Sequence, residues 1–365
     1  MGVLMEKQNK VLNKIKYNSG QNTPLGTVPN DECYTSMQDI INELSRWADK
    51  FKNKNIICPC DWDIVDNSNV YSIRIDFDEN NIHAHKNTVK SICYNEFVDI
   101  GKQRSGKVPM KDVDDFLRNK VNCNFIRTFV ANAEKWGIKS LTASGFNPAT
   151  GIGIKFQDVD FTKYDICVTN PPFSQYGQFM EKMLSSNIDF IVLAPFLNRA
   201  NPCIGLPLML KRCYLGYGRD LHPNFYNPTV KNEYKTKIVC CDWITTFSDA
   251  QKEVDATRLR NGFTYKNYKD DYVIMQNMIM KDGTNPIKVG KYTAIPDDYC
   301  GWVFCSVGVL DVLSNEEFEW YITNAKGYYN KTNTEFNPFK HKATDSMVSN
   351  PGVKGFHGIV LRRKK

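Results

Sequence analysis

A buried strand that ends in a stiff, polar turn is the feature of this sequence that most restricts its fold. The largely apolar run Tyr164–Val168 leads directly into Thr169-Asn170-Pro171-Pro172-Phe173-Ser174. Proline fixes φ and has no N–H, and the residue before each proline is pushed out of the helical region. The Asn170 side-chain oxygen and the Pro171 carbonyl can therefore project together beyond the strand, beside the Phe173 ring.

Two hydrogen-bond acceptors beside an aromatic ring suit a planar amino group attached to a ring, such as the N6 amine of adenine. An Asn-Pro-Pro triplet also occurs by chance in many loops. The triplet is more specific here because an amphipathic helix is predicted directly after it, over Tyr176–Leu184. The sequence thus predicts a strand–turn–helix unit that binds a planar amine.

Alternating strands and amphipathic helices predict the fold class. Apolar residues recur at helical spacing in Met37–Phe51 and Phe125–Trp136, and Ser36 with Asp39 forms a capping-box pattern before the first of these helices. Strands are predicted at Lys54–Asp61, Tyr71–Phe77, Lys139–Ser144, Gly151–Phe156, Tyr164–Val168 and Phe190–Pro195. This order favours an α/β fold with a doubly wound, mostly parallel sheet.

Other segments do not follow this alternation of strands and helices. Residues 1–30 are rich in Asn, Lys, Gln and Gly and predict a flexible basic arm. Residues 64–121 interrupt the alternation, with a short helix indicated by Val113, Phe116 and Leu117. Beyond residue 223 we expect strands at Lys237–Ile244, Gly301–Val307 and Gly358–Leu361, and a long loop over 325–356.

Composition narrows the class of protein. The net charge of +7 suits a polyanionic partner, and the basic end Arg362–Lys365 is equally consistent with a solvated tail and with phosphate contact. The twelve cysteines contain no CxxC pair, and His83 and His85 have no nearby partner set, so no metal is expected. No apolar run reaches about 18 residues. We therefore expect a cytoplasmic protein with reduced thiols and no membrane contact.

A second strand end is a candidate ligand site. Open α/β sheets bind ligands outside the carboxyl ends of their strands. Cys58-Pro59-Cys60-Asp61 ends a predicted strand, and Asp61 and Asp63 are suited to ribose hydroxyls or an amine. Without the Asn-Pro-Pro-Phe segment, an ordinary polar turn would be the preferred interpretation. A GxGxxG fingerprint is absent from this turn. Asp158 and Asp160 fit either a solvated loop or acceptance from an adenine amine.

Read in order, several segments resemble the EcoRI-type adenine-specific DNA methyltransferases. The likeness covers most of residues 31–365, and only the Asn-Pro-Pro-Phe segment is specific by itself. The segments that carry it are Tyr34–Ser36, Asn55–Asp61, Asn124-Phe125, Leu141–Ala143, Asp160-Phe161, Thr169–Ser174, Asp242–Phe247, Ile295–Gly301 and Glu317–Glu319, with the basic strand at the end.

The resemblance implies a Rossmann-like fold that uses S-adenosylmethionine to methylate adenine N6 in DNA. By the family pattern, Asn170 and Pro171 hold the amine, Phe173 stacks on the base, and Pro172 completes the catalytic motif. The cofactor-binding residues implied by the same pattern are Tyr34, Thr35, Cys58, Pro59, Cys60, Asp61, Ser144, Asp160 and Asn170.

The resemblance also divides the chain. It implies a catalytic domain over 31–250, with an insertion at about 64–121, and a C-terminal region, 251–365, that recognises the target and contacts DNA. The sequence departs from the family pattern at Ser36, where proline is usual, and at Cys123, where serine is usual. The strand that ends at Ser144 lacks the acidic residue that commonly binds the cofactor ribose.

Two other functions are consistent with the residues alone. Turns of the Asn-Pro-Pro-aromatic kind also serve enzymes that methylate adenine in RNA or a glutamine amide. A third class is an inactive nucleic-acid-binding protein that keeps the fold, and the intact Asn170–Phe173 motif argues against it. Tyr265–Lys269 interleaves aromatic residues with lysines, which suits a solvated loop better than a DNA contact.

Overall fold

The computed structural model describes most of the chain between residues 34 and 364. The predicted basic arm, residues 1–30, lies outside the described residues, as do His83 and His85. The described ranges are 34–62, 70–77, 89–99, 102–121, 123–147, 151–195, 199, 201–219, 221, 224–226, 234–236, 240–251, 264–276, 278–280, 282–310, 312–313, 316–324, 327–329 and 358–364.

The secondary structure of these residues is mixed α/β. The α-helices are α1 (Met37–Leu44), α2 (Val113–Asn119), α3 (Asn124–Trp136), α4 (Tyr176–Ser186), α5 (Pro202–Met209) and α6 (Tyr265–Tyr268). No helix within the described ranges is long and apolar enough to span a bilayer. The β-strands are β1 (Tyr34–Thr35), β2 (Asn55–Cys58), β3 (Val70–Phe77), β4 (Val89–Asp99), β5 (Lys102–Lys107), β6 (Ser140–Ser144), β7 (Phe146–Asn147), β8 (Ile152–Gly153), β9 (Ile166–Thr169), β10 (Asp189–Pro195), β11 (Tyr214–Leu215), β12 (Asn224–Tyr226), β13 (Tyr234–Thr236), β14 (Cys241–Thr245), β15 (Val273–Ile274), β16 (Ile287–Val289), β17 (Val303–Ser306), β18 (Phe318–Asn324), β19 (Gly327–Tyr329) and β20 (Gly358–Arg363).

The chain divides into two compact units. The first contains residues 19–194 and 216–245, and the second contains residues 1–18, 195–215 and 246–365. Each unit has a sheet of its own.

The first unit is built on a large mixed sheet. Its strands lie in the order β14-β10-β9-β2-β6-β3-β4-β5. The pairs β10–β9, β9–β2 and β2–β6 are parallel, whereas β6–β3, β3–β4 and β4–β5 are antiparallel. The predicted parallel arrangement therefore holds for the central strands, and residues 64–121 add antiparallel strands at one side.

Buried strands and helix caps explain why the central elements form where they were predicted. All residues of β9 are buried, as are Ile56–Cys58 of β2. The Ser36 hydroxyl accepts from the Asp39 N–H at 3.1 Å and starts α1, which confirms the predicted cap. The predicted helix Met37–Phe51 is α-helical only to Leu44 and continues as a 3₁₀ helix over Ser45–Phe51.

The predicted strand Gly151–Phe156 is wrong over most of its length. Only Ile152–Gly153 forms a strand, as half of a small hairpin with β7, and a 3₁₀ turn begins at Phe156. Gly153 has φ of 122°, and a Cβ there would lie 2.1 Å from the Gly145 carbonyl oxygen. The close approach of the two backbones requires glycine and ends the strand.

A buried carboxylate fixes α1 against the segment that leads toward β12. Glu43 accepts from the N–H groups of Tyr217 and Gly218 at 3.0 and 2.7 Å and from Trp47 Nε1 at 2.8 Å. Burial raises the pKa of Glu43, against the effect of these hydrogen bonds. A Cβ on Gly216 would lie 2.3 Å from Glu43 Oε1, so only glycine lets the carboxylate approach.

The second unit has a six-stranded sheet in the order β15-β16-β17-β20-β18-β19. Strands β17 and β20 confirm the predicted strands at Gly301–Val307 and Gly358–Leu361. The loop predicted over 325–356 is wrong at Gly327–Tyr329, which pairs with β18, and lies outside the described residues beyond that strand.

The two arginines at the basic end of the chain, Arg362 and Arg363, form ion pairs within the protein. They are therefore neither part of a solvated tail nor available to bind phosphate. Arg362 forms ion pairs with Glu319 at 2.8 Å and Asp282 at 3.3 Å. Arg363 pairs with Asp297 at 3.2 Å and also with Glu317. Both arginines therefore hold the second sheet together from within β20.

The segment Tyr265–Lys269 is ordered rather than a loop. Tyr265–Tyr268 forms α6, and the carboxylate of Asp298 accepts from the N–H groups of Tyr265 and Lys266 at the start of this helix. The Tyr265 ring lies 4.4 Å from that of Tyr299. Lys266 and Lys269 are exposed.

Hydrogen bonds at the amino ends of three parallel strands set their register. Asp165, just before β9, accepts from the N–H and Nδ2 of Asn55 in β2 at 2.8 and 3.1 Å. Asn55 Oδ1 in turn accepts from the Ser140 hydroxyl of β6 at 2.8 Å. Since a slip of one residue would reverse the side-chain faces, this network aligns the opposite, carboxyl ends of the strands as well.

We predict that Asp165→Asn lowers the stability of the protein at neutral pH. Burial raises the pKa of Asp165, but the hydrogen bonds from Asn55 and the Lys54 ammonium outweigh it and leave that pKa below its ordinary value of 3.8. A depressed carboxyl pKa stabilises the fold above the unfolded pKa, and this stabilisation is lost as the pH falls through the folded pKa. Denaturant unfolding of wild type and variant should differ at about pH 7, and the difference should shrink as the pH falls below about 4. A difference independent of pH would contradict this role.

Candidate active site

Three neighbouring strand ends form the candidate site. The parallel register pairs Ile57 of β2 with Cys167 of β9, and Cys58 of β2 with Ala143 of β6. The turns after these strands therefore begin at the same edge of the sheet. They carry the predicted residues Pro59–Asp61, Asn170–Phe173 and Ser144.

The Asn-Pro-Pro-Phe turn is anchored at both of its ends. The buried residue Thr169 ends β9, and a 3₁₀ turn begins at Phe173 and runs into α4. The Gln175 N–H donates to the Pro172 carbonyl at 3.0 Å. Pro171 is buried, whereas Asn170 and Phe173 are half-buried. The predicted amine-binding residues thus lie on a short turn between two rigid elements.

A buried hydrogen bond joins the two principal turns. The Thr169 hydroxyl donates to Asp61 Oδ2. Thr169 is fully buried, and Asp61 is 9% exposed. Asp61 is therefore held beside the start of the Asn-Pro-Pro-Phe turn, which brings the two halves predicted from the sequence together.

Two of the predicted cofactor residues carry buried hydroxyls that have no hydrogen-bond partner among the residues that the structure describes. They are Thr35 Oγ1 and Ser144 Oγ, in side chains only 3% and 2% exposed. The Thr35 carbonyl accepts from Asn124 Nδ2 at 2.8 Å, so β1 is held at the start of α3. Tyr34 is paired with Tyr226 of β12 through the backbone. Buried polar groups normally have partners, so these two hydroxyls suit a polar ligand.

Two thiols of the site, those of Cys58 and Cys167, are buried. Burial, followed by the negative charge of Asp61, raises the pKa of Cys58 well above its ordinary value. Burial does the same for Cys167. Because the thiolate is the nucleophilic form, these cysteines act as small apolar side chains. Cys60 is half-buried.

Asp160 is placed differently from the other predicted residues. It is exposed and caps the 3₁₀ turn Phe161–Lys163. Hydrogen bonds from the Thr162 hydroxyl, at 2.6 Å, and from its N–H hold the pKa of Asp160 below the ordinary value. The contacts of its carboxylate within the described residues lie in this turn, and Asp158 is exposed in the preceding turn.

Sequence reasoning missed the contacts that connect the insertion to the site. Trp62 N donates to the Ser144 carbonyl at 3.2 Å, and Trp62 Nε1 donates to the Val70 carbonyl at 3.0 Å. A Cβ on Gly145 would lie 2.2 Å from the Trp62 carbonyl oxygen. A glycine directly after a predicted strand end was the one signal of this close approach.

The site combines features of one class of protein. Acceptors on a proline-fixed turn, an aspartate at the neighbouring strand end and buried hydroxyls without partners among the described residues suit an α/β enzyme that binds a nucleoside-like ligand. No group of three or more His, Cys, Asp or Glu in the described part of the chain is arranged to hold a metal ion.

Comparison with known proteins gives the family. The profile of the family described as adenine-specific methyltransferase EcoRI matches residues 26–364. The chain belongs to this family, and it is therefore an adenine-specific methyltransferase. No solved structure matches it significantly.

Curated relatives agree with this assignment. The chain is 24% identical over 328 residues to the type II methyltransferase M.EcoRI of Escherichia coli, covering 85% of this chain and 88% of the relative. It is 22% identical over 350 residues to M.MgeORF184P of Mycoplasma genitalium, covering 92% and 96%. It is 23% identical over 357 residues to M.MpnI of Mycoplasma pneumoniae, covering 92% and 91%. Both mycoplasma proteins are also named type II methyltransferases.

We predict that Thr169→Val destabilises the protein because it removes a buried donor to the Asp61 carboxylate while keeping the side-chain volume. Loss of a hydrogen bond to a charged group should cost about 1.5–3 kcal/mol in the free energy of unfolding. Thr162→Val is the matched control, since Thr162 also donates to an aspartate but is exposed. Its expected effect is within about 0.5 kcal/mol. Equal urea midpoints for the two variants would contradict the importance of the Asp61–Thr169 bond.

Proposed function

We propose that the protein transfers a methyl group from S-adenosylmethionine to the N6 amine of adenine in DNA, as part of a restriction–modification pair. The observation that carries the proposal is the Asn170–Phe173 turn at the end of β9, joined through Thr169 to Asp61 at the end of β2. Membership of the adenine-specific methyltransferase family supports the choice of base.

The sheet supports a Rossmann-like methyltransferase fold for residues 31–250. Its central parallel strands carry the site at their carboxyl ends, where open α/β sheets bind ligands. We assign residues 251–365 to target recognition and DNA contact. Exposed Lys266 and Lys269 support this role, whereas Arg362 and Arg363 are engaged in ion pairs within β20's own sheet.

The residues at the strand ends fit S-adenosylmethionine. The cofactor offers ribose hydroxyls, an amino-acid end and an adenine ring, and when bound it supplies a methyl group carried on a positive sulfur. The hydroxyls of Thr35 and Ser144, which no other described residue bonds, and the carboxylate of Asp61 would hold its polar parts. Cys58, Pro59 and Cys60 would line the turn, and Tyr34 would lie near the amino-acid end. Asp160 would face the cofactor adenine.

Asn170 and Pro171 would make N6 reactive. The lone pair of this nitrogen is delocalised into the adenine ring, so the amine is a poor nucleophile. Acceptance of its two hydrogens by Asn170 Oδ1 and the Pro171 carbonyl favours a pyramidal nitrogen whose lone pair can attack. The nitrogen would gain the methyl group as the bond between that carbon and sulfur breaks, which leaves neutral S-adenosylhomocysteine. The methylated nitrogen later loses one proton to water, so no strong general base is needed.

Positioning supplies most of the expected rate gain. Alignment of two reactants can contribute roughly 7–11 kcal/mol. The two oriented acceptors also stabilise the positive charge that develops on nitrogen. In a duplex the adenine must first leave the stack, at a cost of a few kcal/mol. Stacking on Phe173, worth about 1–3 kcal/mol per base, offsets part of that cost.

Two other results of a labelling experiment would contradict the proposal. The same turn can serve methylation of adenine in RNA or of a glutamine amide, and an inactive protein that binds nucleic acid could keep the fold. Incubation with tritiated S-adenosylmethionine and separate DNA, RNA and protein substrates distinguishes them. Incorporation into DNA alone is the expected result.

We predict that Asn170→Ala abolishes methyl transfer while the protein still binds S-adenosylhomocysteine. The variant loses one of the two acceptors for the amine, yet it leaves β9 and the Pro171-Pro172 turn in place. Asn42→Ala, at an exposed position of α1, is the matched control and should keep full activity. Full activity of Asn170→Ala in the tritium assay would refute the proposed mechanism.

We predict that Phe173→Ala reduces methyl transfer by about 10- to 100-fold, which corresponds to the loss of one stacked base. Phe173→Tyr keeps the ring and should retain most activity. Single-turnover rates on duplex and single-stranded DNA measure the effect. Because a single strand needs no flipping out of a duplex, the loss should be smaller on that substrate. The same loss for Phe173→Tyr as for Phe173→Ala would exclude stacking as the role of this ring.

A further inference from the structure

A row of polar side chains runs from the candidate site into the inserted strands. The strand register pairs Ser144 of β6 with Ser72 of β3, Ser72 with Asn95 of β4, and Asn95 with Ser105 of β5. Directly opposed residues of antiparallel strands share a face of the sheet, with Cβ atoms about 5 Å apart. The inserted strands therefore continue the row of polar side chains from Ser144 across the sheet to β5.

Hydrogen bonds fix the orientation of this row. The Ser105 hydroxyl donates to Asn95 Oδ1 at 2.6 Å, and Asn95 Nδ2 donates to the Ser72 hydroxyl oxygen at 2.9 Å. The amide of Asn95 is thereby oriented, because its oxygen faces Ser105 and its nitrogen faces Ser72. Ser72 accepts this bond, so its own O–H is left to donate to a ligand.

The last member of the row is a hydroxyl without a partner in the part of the chain that the structure describes. Ser144 is 2% exposed, Ser72 is 4% exposed, and Ser144 Oγ has no hydrogen-bond partner among those residues. A buried hydroxyl without a partner is costly, so a ligand group that bonds to it would remove this cost. An acidic residue at this kind of strand end usually binds a ribose hydroxyl, and Ser144 stands there instead.

The insertion is also connected to the cofactor turn by its first strand. Trp62 follows Asp61 directly, and its indole donates to Val70 at the start of β3. The Trp62 N–H donates to the Ser144 carbonyl. The first inserted strand is thus held against both the Asp61 turn and the Ser144 strand end.

We infer that the inserted strands complete the ribose-binding part of the cofactor site. In this arrangement the hydroxyls of Ser144 and Ser72 replace the usual carboxylate and bind the ribose hydroxyls, and Asn95 is a positioning residue that orients Ser72. A carboxylate only accepts, whereas two hydroxyls can accept and donate, so the pair suits a diol. This inference rests on the proposed use of S-adenosylmethionine.

Calorimetric binding of S-adenosylhomocysteine tests the inference without any need for turnover. We expect Ser144→Ala and Ser72→Ala each to weaken binding by roughly 3- to 10-fold, the effect of one hydrogen bond. Asn95→Ala should weaken it less, because it acts through Ser72. Ser91→Ala is the matched control: its hydroxyl is on the same strand and face as Asn95 but donates to Asp76, and binding should not change.

Analogues of S-adenosylhomocysteine that lack a ribose hydroxyl distinguish the loss of a direct ribose contact from a general distortion of the site. The 2′-deoxy and 3′-deoxy forms of S-adenosylhomocysteine should bind wild type more weakly than the parent compound. At least one of them should bind wild type, Ser144→Ala and Ser72→Ala equally, because the hydroxyl that these side chains contact is absent. Asn95→Ala should show the same loss of discrimination, which a merely structural role would not produce. If Ser72→Ala does not fold, Ser72→Cys keeps its volume with a weaker donor.

The outcomes separate this inference from the proposed function. If wild type does not bind S-adenosylhomocysteine, the proposed cofactor is wrong and the inference fails with it. If wild type binds and all serine variants bind the parent ligand equally well, the inference alone is overturned. An equal loss for the parent and for both deoxy ligands would also overturn it, because it would indicate a distorted site rather than a lost ribose contact.

Discussion

The register of the parallel strands β2, β6 and β9 is the constraint on which the rest of the site depends. Asp165, Asn55 and Ser140 connect the amino ends of these strands through side-chain hydrogen bonds. At the opposite edge, Thr169 donates to Asp61 and joins the two turns that carry the site. A slip of one residue would separate both sets of partners, so the same alignment that stabilises the sheet also assembles the site.

The sequence was sufficient for features whose causes are local. Proline geometry defines the turn Asn170–Phe173, the Ser36 cap starts α1, and runs of apolar residues mark the central strands. The family resemblance added which strand ends belong together, and the parallel register brings Asp61, Ser144 and Asn170 to one edge of the sheet. The chemical roles of these residues remain proposals.

Features that depend on distant partners were beyond sequence reasoning. The basic end of the chain has the composition of a tail, yet Arg362 and Arg363 pair with acids 43 and 66 positions away, Glu319 and Asp297. The inserted strands gave no local sign of where they would pair. The antiparallel pairing of β3 with β6 depends on the assembled sheet. The row of polar side chains from Ser144 to Ser105 results from this pairing and from that of β4 with β5.

In the proposed function, the Asn170–Phe173 turn directs methylation to adenine N6 in DNA. Sequencing of methylated bases in DNA from cells that express the protein is the decisive experiment, since it reports base, position and context together. We expect N6-methyladenine at one recurrent sequence, and no such mark in cells that express Asn170→Ala at the same level. Methylation of another base, or an unchanged N6-methyladenine pattern with the variant, would contradict it.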